Sequence, residues 1–252
     1  MSELFPAKSI AVEVLVCTDP SREFEFNYWH DTVRLPALRQ IPGVVDVYRY
    51  RDVRPEYGGG FPGLVAIAGE RARYLTLYRL NDDDPWALMG RIRENETSSG
   101  EFLNCAEVLD LTVWDFVATR QSRSPLETTP TTLPDGMPEA ILLFYSHMDP
   151  AKKSQHDDWW LYTHAHDVLE TPGLVQCSRY VTLNPEPEIL DARILNVYEI
   201  DAADPGAVVQ RVLEDDRNVR RPQGRFSTFT LPDTPLSIGS GVYQHWDPMA
   251  RS

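Results

Sequence analysis

Residues 19–50 read DPSREFEFNYWHDTVRLPALRQIPGVVDVYRY, and residues 149–180 read DPAKKSQHDDWWLYTHAHDVLETPGLVQCSRY. At a constant offset of 130 positions, the two segments share an Asp-Pro start, a tryptophan, a Pro-Gly pair and an Arg-Tyr end. A second match follows at an offset of 120, where Asp84-Pro85 aligns with Asp204-Pro205. Internal similarity at fixed spacing indicates a repeated architecture, so we interpret the chain as two copies of one unit.

The boundaries of the two copies follow from composition. Residues 119–138 are rich in Ser, Thr and Pro and nearly devoid of large apolar side chains, which is typical of a linker. We therefore predict a first module at 1–118, a second module at 139–235 and a C-terminal tail at 236–252. The ten residues by which the offset shrinks are assigned to a glycine-rich loop around residues 58–63.

Each copy alternates β-prone apolar runs with segments of helical periodicity. A Pro-Gly pair closes the first helix of each copy, and an aspartate followed by proline starts the second helix. The order βαββαβ is that of the ferredoxin-like unit, so the predicted fold class is α+β with two such modules packed sheet to sheet. The elements predicted for the second copy are strands at Ala140–His147, Leu174–Leu183, Ala192–Ile200 and near Phe226–Leu231, and helices at about Gln155–Glu170 and Pro205–Asp216.

Composition and charge exclude several classes of function. Among 252 residues, 42% are hydrophobic and 25% charged, which is an ordinary globular mixture with room for a substantial core. A formal charge of -14 repels phosphate backbones and anionic bilayers, so we expect neither nucleic acid nor a membrane as partner. No apolar run approaches the roughly 20 residues of a membrane span, and residues 1–9 lack a secretory signal. Cys17, Cys105 and Cys177 are scattered singly, which favours free thiols in the cytoplasm.

The residues around the first helix of each copy resemble the dimeric α/β barrel superfamily, and within it the EthD-like branch. The resemblance implies that the two modules form an intramolecular dimeric α/β barrel, and it implies an enzyme of aromatic or polyketide-like secondary metabolism. The matching elements are Tyr28-Trp29, Arg34-Leu35-Pro36, Pro42-Gly43 and Arg49-Tyr50 in the first copy, and Trp159-Trp160, His164-Ala165-His166, Pro172-Gly173 and Arg179-Tyr180 in the second. Because the family histidine is retained at His164 but replaced at Arg34, we expect one working pocket, in the second copy.

His164 is the first candidate catalytic residue. It lies at the edge of the apolar helix stripe that begins at Leu161, four residues after Trp160. An imidazole with a pKa near neutrality in an apolar pocket suits general acid-base catalysis. The alternative is a core-edge histidine bonded to a backbone carbonyl. We predict His147, at the end of the preceding strand, as its partner, or else as a residue that only begins the following turn.

Tyrosines on three strands offer phenolic donors to a substrate oxygen. We predict Tyr145 and Tyr198 as catalytic donors of this kind. Tyr198 has a counterpart at Tyr78, and Tyr180 and Arg179 also recur in the first copy, which favours a structural role for all three. The substrate-binding residues predicted beside them are Arg179, Tyr180, Trp160 and Phe144.

The preferred function is a cofactor-independent enzyme that transfers protons on a hydrophobic small molecule, as an isomerase, cyclase, dehydratase or lyase. No nucleotide-binding or serine-hydrolase motif is present. No metal is predicted, since His164 and His166 are two residues apart on a helix and point about 200° away from each other. Two alternative functions remain open: a haem enzyme with His164 as ligand, which the resemblance implies, and a non-catalytic small-molecule binding protein. Association into a homodimer is a separate open question.

Overall fold

The computed structural model describes residues 7–53, 73–99, 104–122, 138–146, 150–183, 194–220, 222–223 and 237–245. Within these ranges the strands are β1 (Ser9–Cys17), β2 (Val44–Asp52), β3 (Arg73–Leu80), β4 (Ala106–Gln121), β5 (Ala140–Ser146), β6 (Leu174–Thr182), β7 (Ile194–Ile200) and β8 (Ser237–His245). The α-helices are α1 (Glu23–Trp29), α2 (Leu35–Leu38), α3 (Pro85–Ser99), α4 (Lys153–Trp159), α5 (Ala165–Leu169) and α6 (Pro205–Asp215). None of these described helices is long and apolar enough to cross a membrane.

The eight strands form one closed antiparallel barrel in the order β1-β3-β2-β8-β5-β7-β6-β4. Each half of the chain contributes four adjacent strands in the same relative order, with the fourth strand beside the first and the third between the first and second. The halves join edge to edge, through the β2–β8 and β4–β6 pairs. The predicted α+β class and the ferredoxin-like barrel are therefore confirmed.

Two predicted boundaries differ from the structure. The closing strand of the second half is β8, which lies in the segment predicted as a C-terminal tail, whereas Phe226–Leu231 falls outside the described residues. This strand pairs with both β5 and β2, although glycines, here Gly239 and Gly241, are unfavourable inside strands. β4 also continues to Gln121, inside the predicted linker, because its end pairs with β6.

Alternating strand residues divide the core into two layers. Ile141, Leu143 and Tyr145 of β5 face the barrel interior, whereas Leu142 and Phe144 of the same strand pack beneath the helices. This division decides which strand side chains can meet a helix residue, and therefore which residues can share a site.

Both first helices are interrupted at the same point. A π-helical turn, His30–Arg34 in the first half and Trp160–His164 in the second, joins α1 to α2 and α4 to α5. Turns of this type occur frequently at functional sites. The turns that follow these helices reach β2 and β6 through Gly43 and Gly173, whose φ angles of 94° and 95° favour glycine. The recurring Pro-Gly pair therefore has a conformational cause.

A buried carboxyl group at the end of β7 gives a first testable prediction. Glu199 is 2% exposed and accepts a hydrogen bond from Gln176 Nε2 at 2.8 Å. Burial raises the pKa of Glu199 to about 8, above its unfolded value, so its contribution to stability is present at low pH and is lost as the pH rises through 8. Glu199→Gln has no charge to bury. Its free energy of unfolding should exceed that of the wild type increasingly from pH 5 to pH 8, by up to about 1.4 kcal/mol per pH unit.

Urea unfolding of both proteins at pH 5, 7 and 9 measures this difference. Curves of stability against pH that run parallel for the two proteins would contradict the assignment of a raised pKa to Glu199.

Candidate functional site

The site is built around His164, the last residue of the second π-helical turn. Its side chain is buried, and its Nε2 atom lies 3.0 Å from the hydroxyl of Tyr198 on β7. The indole of Trp159 stacks on the imidazole, with ring centroids 4.7 Å apart and an interplanar angle of 23°. Among the described residues, His164 Nδ1 has no hydrogen-bond partner. The structure therefore brings two predicted catalytic residues into contact and leaves one ring nitrogen available.

The electrostatic environment keeps this imidazole neutral. Burial, together with the charges of Arg179, His156 and Arg220, lowers the pKa of His164 to about 3. The sequence-based expectation of a near-neutral pKa is therefore wrong. Its physical reason is that an imidazolium here would lose its hydration while facing two guanidinium groups.

Arg179 organises the polar groups beside His164. Its guanidinium is fully buried and donates to Asp157 Oδ1 from Nε at 3.0 Å and from Nη2 at 2.8 Å. Nη2 also donates to His156 Nδ1 at 2.5 Å, and Nη1 lies 3.4 Å from Asn196 Oδ1. Since protein groups already occupy these donors, Arg179 acts on the site through its charge and through the side chains that it holds.

Four buried ring nitrogens at this site lack a hydrogen-bond partner within the described part of the chain. They are His156 Nε2, Trp159 Nε1, Trp160 Nε1 and His164 Nδ1. Buried polar groups are nearly always hydrogen-bonded, and an indole N–H can only donate. Four such atoms on one helical segment point to a bound molecule or water that supplies hydrogen-bond partners.

The remaining predicted residues divide between the two core layers. Phe144 lies on the helix side, against the cluster that contains Trp160. Tyr145 and Tyr180 instead face the barrel interior, so the structure does not bring them to His164. Strand alternation is the cause: both side chains point away from the helices. His147 lies outside the described residues, and its predicted role stays a prediction.

The corresponding place in the first half is filled by an ion-pair network. Arg34 occupies the position of His164 and donates to Glu13 at 2.8 and 3.0 Å and to Glu96 at 2.7 and 3.0 Å. The hydroxyl of Tyr78, the counterpart of Tyr198, donates to Glu13 at 2.8 Å. Every component is buried or nearly so.

Strand register identifies what replaces Glu13 in the second half. Glu13 pairs with Thr76 on β3, and Phe144 pairs with Asn196 on β7. Since Thr76 and Asn196 correspond at the offset of 120, Phe144 is the counterpart of Glu13, at an offset of 131. The second half therefore has an apolar ring and a neutral imidazole where the first half has a carboxylate and a guanidinium.

Sequence reasoning missed His156 and Asn196 as members of the site, whereas the region of Trp159 and Trp160 was predicted to supply apolar walls. No role was predicted for His156. The sequence signal that could have found His156 is its alignment with Phe26. A polar side chain replaces an apolar one at a helix position that is buried in both halves. Among the described residues, no group of three or more His, Cys, Asp or Glu side chains is arranged to hold a metal ion.

No protein-family model and no curated protein matches the sequence significantly. Solved structures are similar at low identity. A putative monooxygenase from Fusobacterium nucleatum has a TM-score of 0.53 at 10% identity, covering 96% of this chain and 94% of that one. An anthrone oxidase-like protein has a TM-score of 0.51 at 13% identity, with coverages of 96% and 93%.

A variant of DypB from Rhodococcus jostii RHA1, in complex with haem, has a TM-score of 0.57 at 10% identity and covers 97% of this chain and 95% of its own. At these identities the similarity shows a shared fold, the ferredoxin-like dimeric α/β barrel. Because one fold supports many chemistries, the function has to be argued from the site itself.

Proposed function

We propose that this chain is a small-molecule enzyme of the EthD-like branch, formed by duplication of one ferredoxin-like module, with its working site at His164. The identical strand order of the halves, the equivalent π-helical turns and the paired glycines support the duplication. The ion-pair network around Arg34 and the unpaired nitrogens around His164 support a single working site, in the second half.

The observation that carries the proposed chemistry is the buried His164–Tyr198 contact with Nδ1 left available. When Nε2–H donates to the Tyr198 hydroxyl, Nδ1 carries the lone pair and can accept a proton from a carbon next to a substrate carbonyl. In this reaction Tyr198 orients the imidazole, rather than binding the substrate oxygen as the sequence predicted.

The nearby cations determine which substrate can react. The charges of Arg179 and Arg220, which lower the pKa of His164, also stabilise an enolate formed beside it. An enolate in turn stabilises the imidazolium that forms when the proton reaches His164. The site therefore favours substrates that become anionic, which is the chemistry shared by isomerases, cyclases, dehydratases and lyases of carbonyl compounds.

Haem ligation by His164 through its Nε2 atom does not fit the residues present. Its Nε2 atom is engaged by Tyr198, and one face of its ring is covered by Trp159. We therefore propose a cofactor-independent reaction. Adding haemin to the purified protein should produce no Soret shift that depends on His164; a histidine-ligated spectrum in the wild type that is lost in His164→Phe would support the haem alternative instead.

Deuterium exchange tests the proton-transfer proposal without knowledge of the natural product. We expect the protein to accelerate exchange of the hydrogens next to the carbonyl of 1-tetralone in D2O, followed by NMR. Binding of 1-tetralone without any acceleration would favour the non-catalytic binding protein and contradict the proposed reaction.

A further inference from the structure

We infer that His156 is a second ligand-binding residue of this site, whose Nε2–H donates a hydrogen bond to an oxygen atom of the bound molecule. The inference rests on the proposed function only in placing a ligand beside His164. With this donor, the site binds compounds that carry a carbonyl, enolate or phenolate oxygen more tightly than hydrocarbons of the same shape.

The hydrogen bonds of Arg179 fix the tautomer of His156. An arginine only donates, so the His156 Nδ1 atom that lies 2.5 Å from Arg179 Nη2 carries a lone pair. The proton of the neutral ring is then on Nε2. Asp157 holds the guanidinium in place at 2.8 and 3.0 Å, which keeps this arrangement rigid. Burial, with a further contribution from the charge of Arg179, lowers the pKa of His156 to about 4, so the ring stays neutral.

The Nε2–H group points to a partner outside the described protein. His156 is 6% exposed, and its Nε2 has no hydrogen-bond partner among the described residues. Its ring centroid lies 5.2 Å from that of Trp159, and the Trp159 ring in turn stacks on His164 with centroids 4.7 Å apart. One molecule that covers the edge of Trp159 can therefore reach both imidazoles.

The first half shows that the fold does not require an imidazole at this position. Its counterpart, Phe26, is fully buried, lies 6.2 Å from Trp29 and packs under the Arg49 guanidinium at 5.3 Å. A phenyl ring thus fills the same space between the same neighbours. A buried N–H without a partner destabilises a protein, so the histidine has a role that packing does not supply.

NMR of the imidazole nitrogens tests the arrangement without a ligand. In the folded wild-type protein at pH 7, His156 should be neutral, with Nδ1 unprotonated and Nε2 protonated. A proton on Nδ1, or a charged ring at this pH, would overturn the inference.

A binding experiment tests the role itself. The probes are 1-tetralone and tetralin, which has the same rings without the oxygen, and binding is followed by tryptophan fluorescence. The wild type should bind 1-tetralone more tightly than tetralin. His156→Phe, which copies the first half, should weaken binding of 1-tetralone about 10-fold or more, the equivalent of a lost hydrogen bond, and leave binding of tetralin unchanged.

The matched control is His166→Phe, since His166 is half-buried two residues after His164 on the same helical segment. It should leave binding of both probes unchanged. A wild type without preference for 1-tetralone, or equal losses for both probes in His156→Phe, would contradict the inference. Failure of deuterium exchange alongside selective binding would instead contradict the proposed reaction, so the two failures are distinguishable.

Discussion

Replacing Arg34 with methionine is expected to lower the free energy of unfolding by about 3–5 kcal/mol, the range observed when one partner of a buried ion pair is removed. Arg34 is 3% exposed and bonds two carboxylates, of which Glu13 is 1% exposed. Without the guanidinium, Glu13 is left as a buried charge whose main remaining partner is the hydroxyl of Tyr78. Urea unfolding followed by circular dichroism measures the loss.

The double variant Glu13→Leu with Arg34→Met is the control that separates charge from packing. It removes both buried charges, and replacing a whole buried ion pair by apolar residues is often nearly neutral. Glu96 is 18% exposed on its side chain and keeps access to water. We therefore expect the double variant to recover at least half of the loss. A single variant as stable as the wild type, or a double variant no better than the single one, would show that this network does not stabilise the first half.

Features encoded by local chemistry could be predicted from the sequence. Asp84 and Asp204 were predicted to begin helices, and their Oδ1 atoms accept hydrogen bonds from Ala87 N at 2.9 Å and Ala207 N at 3.0 Å. The Pro-Gly turns recur because each requires a positive φ angle, which an offset search detects. The apolar stripe of the helix also predicted that His164 lies at the edge of the buried face, although its contact with Tyr198 was not predicted.

Features that depend on strand pairing could not be predicted in the same way. Tyr145 and Tyr198 look equivalent as strand tyrosines, and only the register of β5 with β7 and β8 shows that they face opposite layers. Likewise, Glu13 and its counterpart Phe144 are 131 residues apart, whereas residues of the first helices correspond at 130. Phe144 was therefore predicted as an apolar wall, but its correspondence to a member of the ion-pair network was not recognised. The role of Arg179 depends on three partners that are distant in sequence.

The largest functional effect is expected at His164. His164→Phe keeps an aromatic ring against Trp159 but removes both ring nitrogens. Because general acid-base catalysis typically contributes 10²–10⁴-fold, we expect the rate of deuterium exchange into 1-tetralone to fall by about that factor. Tyr198→Phe, which removes only the hydroxyl that orients the imidazole, should cause a smaller loss. An exchange rate in His164→Phe close to that of the wild type would contradict the role of His164 as base.

The pH dependence provides a separate test of the same residue. With its pKa lowered to about 3 by burial, His164 stays neutral, so the exchange rate should not show the fall near pH 6.5 expected of an exposed histidine. Stability should respond with a definite sign. The folded pKa lies below the unfolded value, so the contribution of His164 is present above pH 6.5 and is lost as the pH falls toward 3. His164→Phe, which has no proton to bind, should therefore lose less stability than the wild type between pH 6.5 and pH 4.5 in urea unfolding, and an equal loss would mean that the imidazole is charged in the folded protein.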